Sequence, residues 1–262
     1  MGLRASRSAM IVLAGLMTLS LMPTVGAVAQ AGYSVYLPLT THTYRPSGQI
    51  QGRLLFHGAP EVGATIELVN YTVSPPSENG VVTATTTATG DFAFETPLPL
   101  SVGDRYYLRY TNPTLDGAPE DFDVSRVLTW TSFDLPAYDY DEQVTFPTID
   151  VGSVELNLNL PTVAVPYQFS WGRRALYPDE SYDFMLTDQA SVFHGSAPLG
   201  YSDHYDLSSL PTGFALDTPY VWGVHIVSPW AGEGYSFFYT VMFGETGGTT
   251  DLVAPTTYRV SR

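Results

Sequence analysis

Gln49-Ile50-Gln51-Gly52-Arg53-Leu54-Leu55-Phe56, Gly63-Ala64-Thr65-Ile66-Glu67-Leu68-Val69 and Thr85-Thr86-Thr87-Ala88-Thr89-Gly90-Asp91-Phe92-Ala93-Phe94 carry the reading of the fold. Each alternates apolar and polar residues with a period of two and ends at a Gly- or Pro-bearing turn, the pattern of half-buried antiparallel strands. Ile50, Gly52, Leu54 and Phe56 share one face, and Ala64, Ile66 and Leu68 return inward after His57-Gly58-Ala59-Pro60. Phe92 and Phe94 face the core together, and Tyr106, Leu108 and Tyr110 alternate inward after Gly103-Asp104. Tyr71 to Gly80, with Pro75, Pro76, Asn79 and Gly80, reads as a loop. No window has helical periodicity.

Working outward, residues 1–29 read as a secretory signal. Arg4 and Arg7 form a basic start, Met10 to Met22 is an apolar run, and Ala27-Val28-Ala29 is a cleavage site before Gln30. The run falls short of the roughly 20 apolar residues of a spanning helix. Residues 30–48 read as a linker, or as a stray edge strand at Val35-Tyr36-Leu37 interrupted by Pro38 and Pro46.

Past Tyr110, Asn112 to Asp121 reads as a loop and Val124 to Phe133 as a strand. Pro136 to Glu142 is an acidic, tyrosine-bearing loop, and Thr145 to Leu160 is further strand closing a first domain of residues 49–155. A second domain, residues 156–245, begins with Tyr167-Gln168-Phe169-Ser170-Trp171. It continues through the inward sets Tyr182, Phe184, Leu186 and Tyr220, Trp222, Val224, Ile226. Tyr235, Phe237, Tyr239, Val241 and Phe243 complete a last strand. Residues 246–262 form a tail or an added edge strand. The fold class expected is all-β: two consecutive antiparallel β-sandwich domains, immunoglobulin-like or transthyretin-like, after a signal peptide.

Composition bounds the partners. The chain has 262 residues, 44% hydrophobic and 14% charged, with no cysteine. Cohesion must therefore come from packed sheets instead of disulfides, which suits domains of about 100 residues. The formal charge is −15, every base is Arg, and removing Arg4 and Arg7 with the leader makes the balance more negative still. Such a surface repels phosphate backbones and excludes nucleic acid as a partner. With the leader too short to span and no hydrophobic anchor near residue 262, no membrane insertion is expected once the leader is gone.

The spacing Gly52-x-Leu54, Gly58-x-Pro60-x-x-Gly63-Ala64-x-Ile66-x-Leu68, Thr87-x-x-Gly90-x-Phe92-x-Phe94 resembles the carboxypeptidase regulatory-like (transthyretin-related) domain. The frame Phe169-Ser170-Trp171, Tyr182-x-Phe184, Leu207-x-x-Leu210-Pro211, Tyr220-x-Trp222-x-Val224 resembles a fibronectin type III-like domain. The two resemblances imply non-catalytic modules of secreted and surface proteins.

Few residues offer chemistry. There is no Gly-x-Ser-x-Gly; Gly195-Ser196 and Ser202-x-His204 are its nearest fragments and read as loop polar residues, not as a nucleophile at a sharp turn with a base in reach. His42, His57, His194, His204 and His225 are scattered without ligand spacing, so no catalytic residue, metal ligand or cofactor is expected. Asp139-Tyr140-Asp141-Glu142 and Asp179-Glu180-x-x-Asp183 read as solvated acidic loops, with a structural calcium as the alternative. Aromatics make up 13% of the chain, and most fall at inward positions. Trp130, Tyr138, Tyr140 and Trp230 lie in or near loops and are the candidate ligand contacts. Three functions compete: an extracellular interaction or scaffolding module for a protein partner, a glycan binder using those aromatics, and a hydrolase, the last lacking an acid–base pair.

Overall fold

A computed structural model describes residues 48–95, 97–139, 141–158, 162–188, 192–245 and 255–256. The expected signal, the linker up to residue 47, His42, Tyr140 and most of the tail lie outside the described residues. The described residues are all-β, with two 3-10 turns among them at Pro113–Asp116 and Pro119–Asp121. Among the described residues no helix is long and apolar enough to cross a membrane.

The first half contains β1 (Gln49–Phe56), β2 (Ala59–Pro60), β3 (Thr65–Val73), β4 (Pro76–Thr85), β5 (Asp91–Glu95), β6 (Asp104–Thr111), β7 (Thr129–Thr131), β8 (Gln143–Thr145) and β9 (Ile149–Asp150). The second contains β10 (Glu155–Leu156), β11 (Thr162–Val163), β12 (Tyr167–Gly172), β13 (Ser181–Thr187), β14 (Phe193–Gly195) and β15 (His204–Leu207). It ends with β16 (Pro219–Ser228), β17 (Gly232–Tyr235), β18 (Phe238–Phe243) and β19 (Pro255–Thr256).

Strand β1 pairs antiparallel with β2 and β5 and in parallel with β8 and β9, giving one sheet of the first sandwich. The facing sheet is β4-β3-β6-β7. Ile50, Leu54, Phe92 and Phe94 from one sheet and Ile66, Leu68, Leu108 and Tyr110 from the other are all buried. Of the expected inward sets, Phe56 is half-buried at the end of β1 and the others named are buried. In the second sandwich β10-β12-β15 faces β13, β16 and β18. Phe169 lies 4.7 Å from Phe184 and 4.9 Å from Trp222, and Phe184 stacks on Tyr205 at 4.5 Å. Such interdigitated aromatic contacts hold two sheets about 10 Å apart.

The two sandwiches are not separate in their hydrogen bonding. One sheet runs β4-β3-β6-β7-β17-β16-β18-β11, because β17 pairs with β7 on one side and β16 on the other. The expected division at 155/156 is straddled by β10, which pairs with β12.

Three expectations are corrected. Tyr71 to Gly80 is a hairpin, with β3 running to Val73 and β4 starting at Pro76; its polar residues are strand residues on an exposed edge. The strand expected over Val124 to Phe133 is only Thr129–Thr131. The last strand is divided between β17 and β18 and does not keep one face. Tyr235 opposes His225 but Tyr239 opposes Trp222, a shift of one residue at Ser236-Phe237. A bulge of that kind reverses which side chains point inward.

The same device recurs. Ser236 donates its N–H to the Val224 carbonyl while its hydroxyl accepts from the Val224 N–H at 2.9 Å. Ser132 does this to Leu108, Ser196 to Phe184 and Thr86 to the Ala64 N–H. A short hydroxyl thus satisfies a backbone donor that the bulge would leave bare, avoiding a cost of roughly 1–3 kcal/mol.

Candidate functional site

Two places hold the residues with functional potential: a buried polar cluster where the halves meet, and an exposed aromatic patch at the turn between β16 and β17.

The cluster is built on Asp150, the last residue of β9. His57 and Gly58 form the two-residue turn between β1 and β2, both with positive φ (49° and 81°), the conformation of a tight hairpin turn. Asp150 clasps that turn. Its Oδ1 accepts from the His57 N–H at 3.1 Å and the Gly152 N–H at 2.8 Å. Its Oδ2 accepts from the Gly58 N–H and the Tyr177 hydroxyl, both at 2.7 Å.

Arg174, from the second half, donates from Nη2 to the Asp150 carbonyl at 2.8 Å, with Oδ1 3.4 Å away. Its Nη1 lies 3.2 Å from Glu180 Oε1. The guanidinium sits 4.7 Å from the Tyr177 ring and 5.3 Å from the Trp130 ring. Arg174, Asp150 and Glu180 are all buried. Burial pushes the Glu180 carboxyl up to about 7, against the Arg174 charge, which lowers it. A recess of about 360 Å³ opens beside this cluster, lined by His57, Asp150, Glu155, Arg173, Arg174 and Tyr177. Both Asp150 oxygens are already engaged, so the recess presents no uncommitted carboxylate from that residue.

The second place is the turn between β16 and β17. Ser228 Oγ accepts from the Trp230 N–H at 3.4 Å and the Ala231 N–H at 3.2 Å, fixing the turn. Trp230 is 71% exposed on it. Phe133, 51% exposed, lies with Trp230 around a recess of about 190 Å³ that Asp134, Leu135, Thr145 and Phe146 also line. Asp134 accepts a hydrogen bond from the Tyr71 hydroxyl.

The four aromatic candidates therefore separate. Trp230 is exposed on a fixed turn. Trp130, expected in or near a loop, is 1% exposed in the middle of β7. Its Nε1–H donates to the Ala231 carbonyl at 3.0 Å, and its ring packs on Gly234, where a Cβ would come within 2.3 Å. Tyr138 is also buried, 6.1 Å edge-on from Tyr106. Tyr140 lies outside the described residues.

The remaining candidates are engaged within the fold. Ser202 Oγ donates to the His204 carbonyl and accepts its N–H, so this pair bonds through backbone. Ser196 serves its bulge. His194 bonds the Tyr205 hydroxyl at 2.9 Å. His225 lies between Asp183 at 3.1 Å and Glu233 at 3.3 Å and stacks on Tyr235. Burial opposes its charge, but hydrogen bonds to Asp183 and Glu233 and their charges outweigh it and raise His225 to about 9. Glu180 and Asp183, neighbours in one acidic segment, serve different cationic partners. Among the described residues no three His, Asp or Glu side chains are grouped to hold a metal ion. Sequence reading missed Asp150 and Arg174, whose only local signal is a charged residue beside strand residues.

No family model matches the chain, and no curated protein matches it. Among solved structures it is similar to a DUF3823-family protein from Parabacteroides merdae, at 12% identity over 75% of this chain and 98% of that one, with a TM-score of 0.28. It is also similar to the TIE protein of Bacillus anthracis, at 14% identity over 77% of this chain and 33% of that one, TM-score 0.27. The shaft pilin SpaA of Lactobacillus rhamnosus GG matches at 10% identity over 80% and 98%, TM-score 0.21. Likenesses this distant transfer no site and no activity.

Proposed function

We propose that this chain is a secreted or cell-surface binding and spacing protein without a catalytic centre, and that it meets an extracellular protein partner through the Trp230 turn. The observation that carries this reading is a division of labour. The buried groups Asp150, Arg174 and Glu180 are held by one another or by backbone, and half-buried His225 is held by Asp183 and Glu233, whereas Trp230 stands exposed on a turn fixed by Ser228. Fixed aromatic anchors beside a shallow apolar recess are the usual hot spots of protein contacts, worth roughly 2 kcal/mol or more each. The carboxypeptidase regulatory-like and fibronectin type III-like resemblances agree with a spacer made of sandwich modules, by analogy of fold.

A glycan is the second reading, favoured by the polar groups Asp134 and Thr145 beside the Trp230 and Phe133 rings. An aromatic face with polar groups at its edge suits a sugar ring that stacks on one side and hydrogen-bonds on the other.

The test is capture of partners from the producing cell's envelope and culture medium by the mature protein, alongside a glycan array. A protein captured by wild type and lost with Trp230→Ala supports the first reading; array binding lost with the same variant supports the second. Retention of all binding by Trp230→Ala refutes the assignment of this surface, and turnover in an ester, peptide and glycoside screen refutes the non-catalytic reading.

A further inference from the structure

The sheet edges are unequal. Around the described sheets most outer strands are short: β2, β9, β10, β11 and β19 have two residues, β8 and β14 three, and β15 four. Strand β5 has five and carries Asp91 and Glu95 at its ends. Short or charged edges are how natural sheets avoid recruiting another strand. Strand β4 breaks the pattern. It is ten residues long, ends the longest sheet, and among the described residues pairs with β3 alone. Val81 and Val82 are both exposed, one on each face.

The direction of its free hydrogen-bonding groups follows from its end. Thr86 turns its N–H to the Ala64 carbonyl and its own carbonyl to the Gly63 N–H, both toward β3. By alternation Ala84 and Val82 also face β3, so Thr85, Thr83 and Val81 turn N–H and C=O outward.

Charge selects the occupant. The chain carries −15, so two copies repel over most of their surfaces. Between Asn79 and Gly90 there is no charged residue. Glu78, nearer the start of β4, is paired with Arg109, and the stretch from Asn79 to Thr85 is neutral and Val/Thr-rich, with a sequence compatible with itself in antiparallel register. We propose that β4 is a self-association edge, on which a second copy of this chain adds its own β4 about a two-fold axis at Thr83.

In that arrangement Thr83 pairs with its mate and Val81 with Thr85, exchanging main-chain hydrogen bonds, and the long sheet continues into the second molecule. Because the remaining surface is repulsive, association strengthens as salt rises.

The absence of cysteine makes the test direct. Residues opposed in a hydrogen-bonded antiparallel pair have Cα atoms about 5.5 Å apart, within disulfide reach. Under mild oxidation Thr83→Cys is expected to cross-link to a dimer at least about tenfold faster than Val102→Cys, a fully exposed loop control. Sedimentation velocity of the mature protein is expected to show a monomer–dimer equilibrium that shifts toward dimer with salt. Thr83→Pro removes an outward N–H without touching the β3 ladder and should abolish the dimer. Thr83→Lys, which sets like charges opposite each other at the axis, should do the same if the proline variant fails to fold. Equal cross-linking of the two cysteine variants, a monomer at every concentration and salt, or a dimer untouched by either Thr83 variant would overturn the proposal. None of these readouts depends on the Trp230 surface.

Discussion

Arg174 shows at the scale of one residue why buried charge here serves cohesion. It is a second-half residue whose guanidinium reaches the carbonyl and carboxylate of Asp150 in the first half. Removing one member of a buried pair leaves the other uncompensated. Arg174→Ala is therefore expected to lower unfolding free energy by about 3–5 kcal/mol in urea titrations. The titration of Glu180 and His225 gives a pH signature. Both have folded-state values above their ordinary ones, so the folded chain binds more protons and loses stability as pH rises. Glu180 loses its contribution between its ordinary value of 4.5 and about 7. His225 contributes fully below 6.5 and loses its contribution as pH climbs through about 9. The melting temperature should fall steadily from about pH 5 to pH 9; Glu180→Gln should flatten the lower part of that slope and His225→Gln the upper. A profile that rises over this range in wild type contradicts both assignments.

At the scale of elements, alternation was readable wherever a strand ran uninterrupted. The inward sets of β1, β3, β5, β6, β13 and β16 could be listed from period-two patterning alone. Bulges were not readable, because one inserted residue leaves the composition unchanged and only reverses parity. Tyr235 looked like a core residue of the last strand, yet it stacks on His225 on the other side of the Ser236 bulge. The hydroxyls that heal these bulges yield a prediction. Ser236→Ala leaves the buried Val224 N–H without its acceptor and should cost about 1–3 kcal/mol, whereas Ser236→Thr should retain most of it. Gly234 is a second such point. A Cβ there would strike the Trp130 ring at 2.3 Å, so Gly234→Val is expected to destabilise by roughly 1–3 kcal/mol through overpacking. Thermal and urea unfolding check both.

At the scale of the whole molecule, the join between the halves was the feature no local pattern carried. Trp130 and Gly234 are about a hundred residues apart in sequence, and nothing near either announces that β7 and β17 pair. Trp130 was therefore legible as an aromatic in or near a loop and illegible as the residue packed at the joint. Trp230 was legible as an aromatic in or near a loop, and it stands exposed on the short turn between β16 and β17. A continuous sheet, the Trp130–Gly234 packing and the Arg174–Asp150 contact tie the two sandwiches into one body, as the proposed spacing role requires. Calorimetric unfolding of the mature chain tests this most directly. One transition with calorimetric and van't Hoff enthalpies in agreement is expected, and two separated transitions, each matching one sandwich, would contradict it.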